Sequence, residues 1–128
     1  MQEQDLDAEL AAAADALRSA GASFAFVHGS VADGTARDDS DLDIAAWWEH
    51  DPPAAFAVDL PPGVDLVVLN VAPLELAGRI AVSGRLLFDT APEHRVRWQA
   101  TTRKIYFDEL PRLTRAHREF SESVRRGR

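Results

Sequence analysis

Gly29-Ser30, ten further residues, then Asp41-Leu42-Asp43: this spacing, within HGSVADGTARDDSDLDI, decides how the chain reads. Phe24-Ala25-Phe26-Val27-His28 is a short apolar run and predicts a buried strand. It ends at Gly29-Ser30, where the backbone can turn sharply and bring N–H groups to an anion. Val31-Ala32-Asp33 can open a short helix whose N-terminus faces phosphate, and residues 35–40 are polar and loop-like. Asp41 to Trp48 then predicts a second strand. Side chains alternate along a strand, so Asp41 and Asp43 share one face while Leu42 and Ile44 enter a core. Two carboxylates on one face suit a hard cation such as Mg²⁺, which prefers oxygen ligands and shares them with substrate phosphates. A bare Gly-Ser is an ordinary turn. With Asp41 and Asp43 after it, Gly29 and Ser30 read instead as a triphosphate cradle, the glycine for close approach and the serine hydroxyl for a hydrogen bond.

On these residues the chain resembles the polymerase-beta-like nucleotidyltransferases. Within that superfamily it is similar to the minimal nucleotidyltransferase (MNT) antitoxins, short proteins paired with HEPN-domain toxins. The resemblance implies an α/β (α+β) nucleotidyltransferase palm with a mixed sheet of about four strands flanked by helices. It implies a third carboxylate at the start of another strand, binding metal and helping to deprotonate the acceptor. Here that residue is Asp65, with Asp59 as the fallback. Catalytic and metal-binding roles thus fall to Asp41, Asp43 and Asp65, and nucleotide binding to Gly29 and Ser30. The resemblance further implies Mg²⁺, ATP as substrate, a HEPN ribonuclease toxin as partner in a hetero-oligomer, and AMP transfer to a tyrosine hydroxyl that silences the toxin. One departure stands out: many relatives carry a basic residue where this chain has Asp33, which weakens the hold on a triphosphate unless Arg37 compensates. Two other functions remain open, a non-catalytic antitoxin that blocks the toxin by binding and a small-molecule nucleotidyltransferase.

Composition agrees. With 128 residues, 46% hydrophobic and 27% charged, the expectation is one globular nucleotidyltransferase domain over 1–128, with a C-terminal helical segment over 92–124. There is no cysteine, hence no disulfide framework and no thiolate nucleophile. The acidic N-terminus lacks a signal pattern and no apolar run reaches membrane-spanning length, so a cytoplasmic protein without membrane association is expected. Residues 1–93 carry 4 arginines against 17 acids, net −13, and residues 94–128 carry net +6. An acidic body is a poor nonspecific binder of nucleic acid, so no direct nucleic-acid binding is expected. The basic tail reads as a solvated helix face.

The remaining elements follow from periodicity and punctuation. Asp5 to Arg18 predicts a helix stopped by Gly21. Val64 to Asn70 and Arg85 to Asp89 predict strands, with a short helix from Pro73 to Val82 between them. A helix from Pro92 to about Leu110 is expected to break or kink at Pro111, with a second segment from Leu113 to Val124. Trp98, Ile105 and Phe120 are expected to pack these helices onto the sheet. One of Trp47 and Trp48 should be core and the other exposed. Tyr106 reads as a helix residue with a wet hydroxyl, and His28 as structural or as orienting the phosphate loop.

Overall fold

The computed structural model describes residues 3–29 and 41–126. Among them, helix α1 (Glu3–Ser19) leads to strands β1 (Phe24–His28), β2 (Leu42–Trp47) and β3 (Val64–Val68). Helix α2 (Leu74–Ser83), strand β4 (Arg85–Asp89) and the long helix α3 (Pro92–Arg126) follow. The strands form one mixed four-stranded sheet in the order β3-β2-β1-β4. β1 runs antiparallel to β2 and β4, and β2 runs parallel to β3. This is the α+β architecture with a mixed sheet that the sequence predicts.

The central strands read as almost continuous apolar runs because both faces are covered. One face holds Ala25, Val27, Leu42, Ile44, Ala46 and Trp48 against Ala13, Ala14 and Leu17 of α1. The other gathers Phe24, Phe26, Ala45, Leu69 and Ile80, with Trp47 and Trp98 packed on them. Trp98 lies 5.8 Å from the rings of both Phe24 and Phe26, so α3 is pinned to the sheet there, as expected. Trp48 is the core tryptophan, and its indole N–H donates to the Ala20 carbonyl at 3.1 Å. Trp47 is half-buried rather than exposed, stacked on Phe24 at 5.2 Å and covered by His94 at 5.7 Å.

Gly21 ends α1 in the left-handed region, φ 95°, with the Gly21 and Ala22 N–H groups bonded back to Arg18 and Leu17. Such a paired closure satisfies the last carbonyls of a helix, and glycine adopts it without a Cβ penalty. α2 meets α3 at Gly78, where any Cβ would collide with the Tyr106 ring. Gln99 and Arg103 of α3 donate to the Ala81 carbonyl at 3.2 and 2.7 Å, satisfying an orphan acceptor near the end of α2. Tyr106 therefore packs against a neighbouring helix.

Two expectations are corrected. α3 continues through Pro111 without a break. Proline removes one helical hydrogen bond, and here the freed carbonyl belongs to Phe107, an exposed residue, where the loss is tolerable. Ile105 and Phe120 do not pack on the sheet, being 45% and 70% exposed.

Candidate active site

The open end of the sheet lies where β1 stops and β2 and β3 start. Antiparallel pairing sets His28 opposite Asp43, and parallel pairing sets Asp43 beside Asp65. The three residues occupy adjacent strands on the sheet face that, one step inward, presents Phe26, Ala45 and Val67. The helices cover that inner part, while Asp65 is exposed and Asp43 half-exposed. Asp41 precedes β2 by one residue and is exposed at the mouth. The structure thus brings Asp43 and Asp65 together with Asp41 at the rim. Asp59 lies before β3, and no strand register carries it to Asp43. Ser30 falls outside the described residues, as do Asp33 and Arg37.

Like charges placed side by side across a sheet are destabilising. Asp43 beside Asp65 is therefore a local cost to the fold, and a cation bound between them would offset it. Among the described residues no group of three carboxylates or imidazoles forms a ready metal cage. Mg²⁺ ordinarily takes one or two carboxylates and completes its shell with water and substrate phosphate, so the hard oxygen donors of Asp43, Asp65 and Asp41 fit it.

Gly29 fixes the relation of the turn to this centre. Its φ is 73°, a backbone state that side chains other than glycine rarely adopt. A Cβ at Gly29 would collide with Asp43 Oδ2 and lie 3.2 Å from Asp43 Cγ. The glycine therefore allows both the turn and the close passage of backbone over the carboxylate. Gly29→Ala is expected to lower stability by about 1 kcal/mol or more through backbone strain alone. It is also expected to displace the Asp43 carboxylate and so erase any stabilisation by MgATP. Thermal melts with and without MgATP test this, and an unchanged ligand shift in the alanine variant refutes the role given to Gly29.

Two further residues border this centre: His28, read from sequence as structural or as orienting the phosphate loop, and Arg79, which sequence reading did not single out. A cleft of about 270 Å³ flanks Gly29 on the α2 side, lined by His28, Gly29, Leu76, Arg79, Ile80 and Ser83. His28 Nε2 is buried with no hydrogen-bond partner among the described residues. Burial pulls the imidazole below its ordinary pKa, Asp43 acts in the opposite sense, and Arg79 adds to the lowering. A neutral imidazole beside Asp43 results at neutral pH. The signal for Arg79 was faint: one basic residue in the largely apolar run LELAGRIAVS. The other histidines serve elsewhere, His94 with Glu49 at 3.3 Å and His117 with Glu75 at 3.2 Å.

Residues 15–93, more than half of the chain and including every strand of the sheet, match the family Polymerase beta, Nucleotidyltransferase. The chain belongs to this nucleotidyltransferase family. No protein of curated function matches it by sequence. Among solved structures the fold is similar to a chain of a toxin–antitoxin crystallised with AMP-PNP, at TM-score 0.66 and 22% identity over 90% of this chain and 97% of that one. A chain of the toxin–antitoxin MntA-HepT matches at TM-score 0.62 and 18% identity, covering 92% and 97% of the two chains. A chain from the complex of a tri-AMPylated HEPN toxin with an MNT antitoxin, from Shewanella oneidensis, matches at TM-score 0.61 and 19% identity, covering 92% and 97%. At these identities the likeness is one of fold, and it extends over nearly the whole length of each matched chain. No helix among the described residues is long and apolar enough to cross a membrane.

Proposed function

We propose that this chain is an MNT-type antitoxin that transfers AMP from ATP to a tyrosine hydroxyl of a HEPN-domain ribonuclease toxin and thereby silences it. The observation that carries the reading is the in-register placement of Asp43 and Asp65 at the open sheet end, with Gly29 passing directly over Asp43. Membership of a nucleotidyltransferase family supplies the reaction class. In the proposed reaction the acceptor oxygen attacks the α-phosphorus and forms a new P–O bond. The bond from that phosphorus to the bridging oxygen breaks, pyrophosphate leaves, and the hydroxyl proton passes to Asp65. Gly29 and Ser30 would hold the phosphates, and Asp41, Asp43 and Asp65 would hold Mg²⁺. Bound Mg²⁺ would supply neutralisation of the charge on the phosphoryl oxygens and the leaving group.

A macromolecular acceptor is supported by the surface. The described residues form little beyond the sheet and its helices, so an acceptor pocket needs a wall from elsewhere. α3 leaves Val96, Ile105, Phe107 and Phe120 between 45% and 70% exposed. Val96 and Phe107, eleven residues apart and so on one side of the helix, offer apolar surface to a partner.

Incubation with Mg²⁺, ATP and a cognate HEPN-domain toxin tests the reading. The expected result is a toxin heavier by one or more AMP groups, mapped to tyrosine by peptide mass spectrometry, and inactive after the antitoxin is removed. Inhibition that needs a stoichiometric complex, persists without ATP and vanishes on separation overturns catalysis in favour of a binding antitoxin. Transfer to a small molecule with none to the protein points to the third function.

A further inference from the structure

The open sheet end is crowded with negative charge. Asp41, Asp43 and Asp65 lie there. A nucleoside triphosphate adds more, and ions at the aspartates offset only part of it. A cation directed at the terminal phosphates is needed on the side of Gly29 away from Asp43.

The cleft flanking Gly29 contains one permanently charged cation among its lining residues, Arg79. Arg79 is exposed, and its guanidinium has no ion pair or hydrogen bond among the described residues. The other charged residue of α2, Glu75, is engaged by His117. Of the other polar lining groups, Ser83 spends its hydroxyl proton on the Arg79 carbonyl at 2.8 Å, and His28 Nε2 is buried. Arg79 is thus the cleft's free multivalent donor, and a guanidinium presents a planar fork suited to phosphate. Arg79 lines the same cleft as His28 and Gly29, so its charge lies beside the turn that passes over Asp43.

We infer that Arg79 is a nucleotide-binding residue that grips the terminal phosphates of ATP, opposite Asp43 across Gly29, and so selects triphosphate over monophosphate. This rests on the reading of the site as a nucleotidyltransferase centre. It adds a residue from α2, outside the Gly-Ser and Asp-Leu-Asp segments, and it places the departing pyrophosphate in the α2 cleft.

Isothermal titration of the full chain with ATP and with AMP, each with Mg²⁺, tests the assignment. Arg79→Gln is expected to weaken ATP about tenfold, about 1.4 kcal/mol, and AMP by less than about twofold. Arg79→Lys is expected to recover part of the ATP affinity, since it keeps the charge and loses the fork. Arg79 is exposed, so unchanged circular dichroism and melting are expected for both variants. Unchanged ATP affinity in Arg79→Gln, or equal loss for ATP and AMP, overturns the inference while leaving the nucleotidyltransferase reading in place. A wild-type chain that binds no ATP at all overturns both.

Discussion

Asparagine at both Asp41 and Asp43 is expected to lower AMP transfer by at least about a thousandfold. Charge stabilisation by a metal centre contributes several kcal/mol to a transition state, and each 1.36 kcal/mol is a factor of ten, so losing about 4 kcal/mol gives that size. The amide keeps the shape of the side chain and one oxygen, yet removes the negative charge that holds a hard cation. The fold should survive. Asp41 is exposed, Asp43 is half-exposed, and neither side chain is hydrogen-bonded to a described residue. Relief of the repulsion between Asp43 and Asp65 should leave the metal-free melting temperature unchanged or slightly higher. MgATP at a hundred times its dissociation constant should stabilise the wild type by about 2.7 kcal/mol and the double variant by almost nothing. Thermal melts and a transfer assay read both effects. A double variant that keeps the MgATP shift, or transfers AMP at near the native rate, removes these aspartates from the site.

The parts of this centre that sequence could reveal are those set by local rules. Gly29 and Asp43 lie fifteen residues apart or less in a patterned segment, and strand alternation alone gives their faces. Asp65 came from the family resemblance and not from local pattern, since a lone aspartate at a strand start is as often a turn residue; parallel register sets it beside Asp43. His28 and Arg79 depend on long-range geometry. His28 meets Asp43 only through the antiparallel pairing of β1 with β2, and Arg79 reaches the cleft only once α2 is docked. A lone arginine on a short amphipathic helix otherwise reads as solvent-facing.

The misreadings along α3 have a similar cause. Helical spacing of apolar residues signals a buried face, and Ile105 and Phe120 satisfied it. A 35-residue helix is about 52 Å long, whereas strands of five or six residues span about 17–20 Å. The sheet can cover only the part of α3 near Trp98, with α2 extending that coverage to Tyr106. Phe120 lies beyond that reach, whereas Ile105, one residue before Tyr106, lies within it on another side of the helix and stays exposed. Pro111 stands in the same stretch, where exposure makes the missing hydrogen bond tolerable.

Asp65→Asn is expected to separate binding from chemistry. Asp65 is exposed at the start of β3, beside Asp43, and in the proposed reaction it takes the acceptor's proton. Asp41 and Asp43 remain in the variant, and so do Gly29 and Arg79, so ATP affinity should fall by less than about tenfold. A base that takes the acceptor proton acts in the transition state, and such groups contribute about 10²–10⁴ in rate. Single-turnover transfer should therefore slow by about that factor, with the loss in rate far exceeding the loss in binding. An amide cannot accept the proton, so a higher pH should restore part of the rate by ionising the acceptor tyrosine, whose ordinary pKa is near 10. That pH response distinguishes a lost base from a disturbed fold, because a disturbed fold would not recover with alkali. Transfer at the native rate in Asp65→Asn would leave Asp65 a surface residue of β3. Loss of nucleotide binding as large as the loss of rate would instead make it chiefly a ligand for the nucleotide's metal, with the acceptor's proton going elsewhere.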